Sequence, residues 1–312
     1  MLNCIEARFN SMKTLLLILI SIISITGCQF KSIEKRNKII LNTPPPGTTK
    51  LSDNLFIDQN EITNFNWLEY MYWTEKVYGK NSKEYSSILP DTNVWSKLNK
   101  SFSVLDTLYF RHTAYKDYPV VGLSYEQVLN FTKWRSDRVM ELFLIKNKIL
   151  TYNENQDNDS YFSIEKYFTG NYCGIIPDST LLIYPEYKLP DSVTFNMTIS
   201  FAESLNEKNY KSCKKKRCID FIIDSNCLGN NHNNPLQTND PLSITYCYWC
   251  KKDLITHLKG NLREMTNIKG NFFGLSFKDS CQTNFNLITE DTSLVNCYTG
   301  FRNSCSYKIW QP

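Results

Sequence analysis

Tyr118-Pro119-Val120-Val121-Gly122-Leu123-Ser124-Tyr125-Glu126-Gln127 changes character halfway along. The first six residues are apolar and strand-like, with Pro119 limiting any pairing to an edge. Ser124 followed by Gln127 is a capping box, in which each side chain satisfies a backbone donor of the other. Beyond it Val128, Phe131, Val139 and Leu142 mark one buried face and predict a helix over about 124–148.

Upstream, Leu55-Phe56-Ile57-Asp58 is a short strand candidate. Thr63 is placed to cap a helix carrying Phe65, Trp67, Leu68, Met71, Tyr72 and Tyr78 before Gly79; this aromatic stripe is expected to pack into the core. Downstream, Tyr152 to Ser160 reads as a polar loop and Val193 to Leu205 as a weaker helix. Residues 206–245 are rich in Asn, Lys and Cys, and after 260 the chain breaks into short segments. Few long helices among many short segments predict an α+β fold with low regular secondary structure.

The whole chain has 312 residues, 42% hydrophobic and 21% charged, which is enough apolar material for a packed core and excludes a wholly disordered chain. Lys+Arg 35 against Asp+Glu 31 gives +4, without the concentrated basic stripe of a nucleic-acid binder.

The N-terminus carries an address. Met12-Lys13-Thr14 precedes an apolar run from Leu15 to Ile25, far short of the roughly 20 residues that a spanning helix needs. Ile25-Thr26-Gly27-Cys28 then resembles a bacterial lipobox, and the whole reads as a secretory signal. Residues 1–27 are expected to be a lipoprotein signal peptide, with Met12 as an alternative start. Residues 28–50 would form the lipidated Cys28 and a flexible Pro-rich tether, and 51–312 the folded domain. Two or more acyl chains on Cys28 would anchor the protein stably to a membrane. Gln29 after the lipidated Cys points to the outer membrane.

Of the 11 Cys, Cys4 and Cys28 belong to the leader and anchor. The remaining nine are Cys173, Cys213, Cys218, Cys227, Cys247, Cys250, Cys281, Cys297 and Cys305. An exported chain uses Cys for disulfides by default, and an odd number leaves one over. Cys213-x4-Cys218 with Cys247-x2-Cys250 is the alternative, a tetrahedral zinc site.

The order of motifs resembles the formylglycine-generating, or sulfatase-modifying-factor, family. Glu61-Ile62-Thr63-Asn64-Phe65 looks like its opening E-V-T-N segment, and Tyr118 to Gln127 with Trp134 is similar to P-V-x-x-V-S-W-x-x-A…W. Lys188-Leu189-Pro190-Asp191 stands where R-L-P-T-E-A-E-W is expected. Gly260-Asn261-Leu262-Arg263-Glu264-Met265-Thr266 resembles G-N-V-W-E-W-T, Gly274-Leu275-Ser276-Phe277 resembles G-G-S-W, and Gly300-Phe301-Arg302 resembles the terminal G-F-R. The resemblance implies a variant C-type-lectin-like domain over about 55–305, closest in kind to the lipid-anchored, gliding-motility and secretion-associated branch.

The family's oxidases bind copper through two Cys spaced C-x4-C just after the G-G-S segment; soft thiolates suit Cu(I). Here the aligned positions are Asp279 and Asn284, neither of which replaces a thiolate. In the family the G-N-x-x-E loop holds calcium, which implies Asn261 and Glu264 as ligands here; calcium favours such hard oxygens. The three His, His112, His232 and His257, lack the His-x3-His-x-Glu spacing of related iron enzymes, and no G-x-S-x-G elbow is present. The expectation is a non-catalytic envelope lipoprotein that binds a protein or glycan partner, with no nucleic acid. The alternatives are an oxidase using an unrecognised Cys pair, such as Cys281 with Cys297 or Cys305, and a metal-stabilised structural module.

Overall fold

The computed structural model describes residues 43–178, 180–212, 255, 257–258, 260–279, 288–289 and 295–311. The leader, Cys28, Cys213, Cys218, Cys227, Cys247, Cys250, Cys281 and Asn284 lie outside them. Among the described residues no helix is long and apolar enough to cross a membrane.

Strands β1 (Thr48–Ser52) and β2 (Leu55–Asp58) form a hairpin. Helix α1 (Asn64–Tyr78) follows, then three short helices, α2 (Lys83–Ser87), α3 (Val94–Leu98) and α4 (Ser103–Leu108). The long helix α5 (Tyr125–Lys146), the short α6 (Ile164–Phe168), β3 (Ile183–Lys188) and α7 (Ser192–Ser212) complete the first part. The C-terminal strands are β4 (Arg263–Met265), β5 (Asn271–Phe273), β6 (Ile288–Thr289), β7 (Thr299–Gly300) and β8 (Ser304–Ile309). One antiparallel sheet has the order β1-β2-β8-β3; the other has the order β6-β5-β4-β7, with β4 and β7 parallel.

The two principal helices start where their caps predict. Thr63 and Asn66 make a reciprocal pair at the head of α1, and Ser124 and Gln127 do the same for α5. They meet in an aromatic core: Trp67 stacks on Phe131 at 5.3 Å and meets Phe301 edge-on at 6.2 Å. The Trp67 indole donates to the Ile88 carbonyl at 3.0 Å, so its polar tip is satisfied inside the core. Strand β3 alternates Ile183, Pro185 and Tyr187 inward and lies under α5, where Ser136 Oγ accepts the Tyr187 N–H.

The expected strand over Tyr118–Leu123 is instead a connector with one bridge, Pro119 to Thr63. Pro119 has no N–H to give a ladder, and Gly122 turns the chain at φ +77. Val120 still donates to Ile62 at 2.9 Å, which ties the connector to the start of α1. The buried face of α5 drifts from the expected positions: Met140 and Leu144 are buried, while Leu142 is 40% exposed. The aromatic stripe of α1 splits. Trp67 and Tyr70 enter the core, but Phe65, Leu68 and Tyr72 face outward. Residues 43–50, read as the end of a tether, pack onto the domain: Pro45 caps the β1 hairpin by accepting from Thr48, and the Thr43 carbonyl accepts from the Tyr307 hydroxyl.

Gly122 is required by shape as well as by φ, because a Cβ there would stand 2.2 Å from the Asp91 carbonyl oxygen. Gly79 has a similar φ of +88 but open space around it. Gly122→Ala should therefore cost about 2–5 kcal/mol, from combined strain and overpacking. Gly79→Ala should cost less, about 1–3 kcal/mol, from its glycine-only backbone conformation (φ 88, ψ 152) alone. Urea unfolding of both variants measures the difference, and equal losses would remove the steric argument.

Candidate functional site

The motifs converge on one buried seam. Ile62 donates to the Phe301 carbonyl, Val120 donates to Ile62, and Leu262 donates to Glu61 Oε1 at 3.1 Å. Gly300 permits this approach, since a Cβ there would lie 2.6 Å from Leu262 Cδ1.

Arg302 has no solvent exposure, so its charge must be neutralised inside the protein. Its Nε lies 2.9 and 2.7 Å from the two Glu264 oxygens, and Nη2 lies 2.6 Å from Oε1. Nη1 donates to the Asp58 carbonyl at 3.2 Å. The Asp58 carboxylate is gripped in turn by Arg135 at 2.6 and 2.8 Å, and it accepts the Asn303 N–H. The Arg135 guanidinium rests 4.2 Å over the Tyr187 ring. Strand β4 thus supplies Glu264, the turn between β7 and β8 supplies Arg302, β2 supplies Asp58 and α5 supplies Arg135.

Asn261, at φ +73, donates from Nδ2 to Glu61 Oε2 at 2.6 Å. Burial raises the Glu61 pKa well above its ordinary value, and the neighbouring Glu264 charge adds to this. Burial likewise raises Glu264, against the opposing pull of Arg302. The two residues that the resemblance implies at a calcium ion are therefore both built into a network containing its own cation. Arg302 engages both Glu264 oxygens, so a metal ion at this loop would have to displace a guanidinium.

Asp279 sits in the second half of the same region. Its Oδ1 meets Arg263 Nη2 at 2.6 Å. Its Oδ2 accepts from Arg263 Nε at 2.9 Å, from Ser276 N at 2.6 Å and from Ser276 Oγ at 2.8 Å. Burial works against this carboxylate, but the Arg263 and Ser276 donors outweigh it and hold its pKa below the usual range. Phe277, beside it, stacks over Trp95 at 6.2 Å.

Cys305 carries a free thiol at 0% exposure, packed among Phe56, Tyr187 and Val139, and burial raises its pKa. Cys297 is also fully buried, beside Trp95 and Leu262. Cys173 is exposed. His112 caps a single 3-10 turn at the surface, and its Nδ1 accepts from Ala114. His257 is buried.

On the other side of Asp58 and Glu61 an open cleft of about 780 Å³ runs between α1 and α5. Phe65, Glu69 and Tyr72 form one wall, Trp134 and Leu142 the other, and Asp117 lies at one edge.

A family model described as "Sulfatase-modifying factor enzyme 1-like domain" matches residues 18–223, more than half of the chain. The chain belongs to this family. Its α+β architecture is a variant of the C-type-lectin-like fold that the family shares. No curated protein matches it. The solved structure named "Crystal Structure of CarF" aligns at 13% identity and a TM-score of 0.37, covering 81% of this chain and 86% of that one. The matched stretch holds the Glu61, Tyr118 and Lys188 segments; the Gly260 and Gly300 segments lie beyond it and join it through Glu61 and Ile62.

The sequence did not single out Arg135, showed Asp58 only as the end of a strand, and showed Glu61 and Arg302 only as parts of motifs. The available signal was a charge set inside apolar surroundings: Glu61 precedes Ile62, and Arg302 follows Phe301. Such a charge is stable inside only with a partner.

The network has consequences for stability. Arg302→Met leaves Glu264 buried without its partner and should cost about 3–5 kcal/mol in chemical denaturation; Arg302→Met with Glu264→Leu should regain most of that loss. Glu61 has a raised folded-state pKa, so its contribution to stability is present at low pH and lost as pH rises through that pKa. Thermal melts across pH should show Glu61→Gln gaining on the parent protein as pH climbs above the ordinary carboxyl value of 4.5. A constant gap across that range would contradict the assignment.

Proposed function

We propose that this protein is a cell-envelope lipoprotein, held at the outer membrane through Cys28, whose sulfatase-modifying-factor-like domain binds a partner and performs no oxidation. One observation carries the non-catalytic part. The position aligned with the first copper-binding Cys of the family is Asp279, and that carboxylate is already satisfied by Arg263 and Ser276. A hard carboxylate engaged by a guanidinium offers Cu(I) no soft ligand. The second aligned position, Asn284, is an amide.

The anchor rests on the order of charge, apolar run and Ile25-Thr26-Gly27-Cys28. A lipidated domain without redox chemistry is suited to work as a scaffold or docking component, in the manner of the gliding-motility and secretion-associated lipoproteins that the sequence resembles. An envelope protein fits that role, and a glycan is the other class of partner to which the resemblance points.

Two measurements on the full chain test this reading. The purified protein should retain no stoichiometric copper and should leave a Cys-containing sulfatase peptide unchanged under oxygen. Cys28→Ala should move the protein out of the membrane fraction. Stoichiometric copper or a formylglycine product would overturn the non-catalytic assignment, and a membrane-bound Cys28→Ala variant would overturn the anchor.

A further inference from the structure

We infer that the cleft between α1 and α5 docks a basic segment of a partner protein; this deepens the binding role proposed above and rests on it. The cleft is walled by an apolar face that the described residues leave uncovered. Phe65 is 50% exposed, Tyr72 is 70% exposed, and Leu142 opposite is 40% exposed. On α1, Phe65, Glu69 and Tyr72 fall at helical spacing on one side, so the acid is flanked by the two rings.

Charge decides the occupant. The two guanidiniums that line the cleft are engaged elsewhere: Arg135 holds Asp58, and Arg138 holds Glu141 and the Phe162 carbonyl. The Asp58 charge is thereby neutralised, and Glu61 faces Asn261 and the Leu262 N–H. Glu69 and Asp117 line the same cleft and form no ion pair among the described residues. What remains for a ligand is uncompensated negative charge beside exposed aromatic rings, on a chain whose net charge is +4. An Arg or Lys side chain fits both halves. Its stem covers apolar surface, its head reaches a carboxylate, and a cation over the Tyr72 or Phe65 face gains from the ring quadrupole. A sugar would use the same rings, but it brings no charge to balance Glu69 and Asp117.

Fluorescence anisotropy of a labelled oligoarginine peptide against the full chain in detergent tests the assignment. An oligoglutamate peptide and chitotetraose serve as comparison probes. Oligoarginine should bind, more weakly at high salt, and the comparison probes should not. Glu69→Gln with Asp117→Asn should weaken binding roughly tenfold, and Tyr72→Ala by a comparable factor. Glu154→Gln with Asp159→Asn, exposed acids away from the cleft, should leave the affinity unchanged. Binding that falls equally in the two double variants would reveal general charge attraction and overturn the cleft as the site. Chitotetraose binding lost in Tyr72→Ala would replace the basic segment with a glycan, and no oligoarginine binding at all would remove the proposal. The copper and peptide-oxidation assays use the unmodified protein and do not depend on these residues, so an oxidase result there is distinguishable from a failed titration here.

Discussion

A guanidinium sealed from water is the constraint around which this domain is built. Arg302 cannot enter the interior without a carboxylate positioned to receive it, and Glu264 meets it with both oxygens. That single demand fixes the turn between β7 and β8 against β4, and so holds the two sheets together. It extends to β2 through the Asp58 carbonyl, and from the Asp58 carboxylate to Arg135 on α5. Buried ion pairs of this kind add little net stability over an apolar substitute, because desolvation offsets most of the attraction. Their contribution here is geometric: four distant segments have one arrangement in which every charge has a partner.

The same logic explains how the rest of the family frame is held. The features that keep the frame are a packed aromatic core and the seam joining Glu61, Val120, Leu262 and Phe301. The loop at Asp279 is held by a separate set of contacts. At Asp279, a carboxylate paired with Arg263 and capped by Ser276 keeps its loop ordered without a thiol.

Local signals were legible in the sequence where local energetics decide the outcome. The caps at Thr63 and Ser124 place the starts of both main helices, because an N-cap acts within four residues. Strand β2 also appears where its apolar run predicts. The misses share a different origin. Strands β3 and β8 gain their order from six paired positions across more than a hundred residues, which no short window contains. The Tyr118–Leu123 segment has strand composition, yet Pro119 and the turn at Gly122 leave it only one bridge. At the site, Asn261 and Glu264 were legible as a motif. Their acceptor and donor, Glu61 and Arg302, lie 200 and 38 positions away and required the fold.

The stripe on α1 shows the deeper limit. Helical spacing of Phe65, Leu68 and Tyr72 states that one face is apolar, but it does not state what covers that face. A core-facing residue and a partner-facing residue produce the same period, because both are selected to leave water. Only burial separates them, and burial places Trp67 inside and leaves Tyr72 at 70% exposure beside Glu69. An apolar face alone would be ambiguous even then, since isolated exposed rings are common on protein surfaces. The asymmetry of charge around it is what gives the face direction. Its bases are bound to internal partners, whereas Glu69 and Asp117 have no ion-pair partner among the described residues. The described surface therefore lacks a cation at the point where its rings and its acids meet.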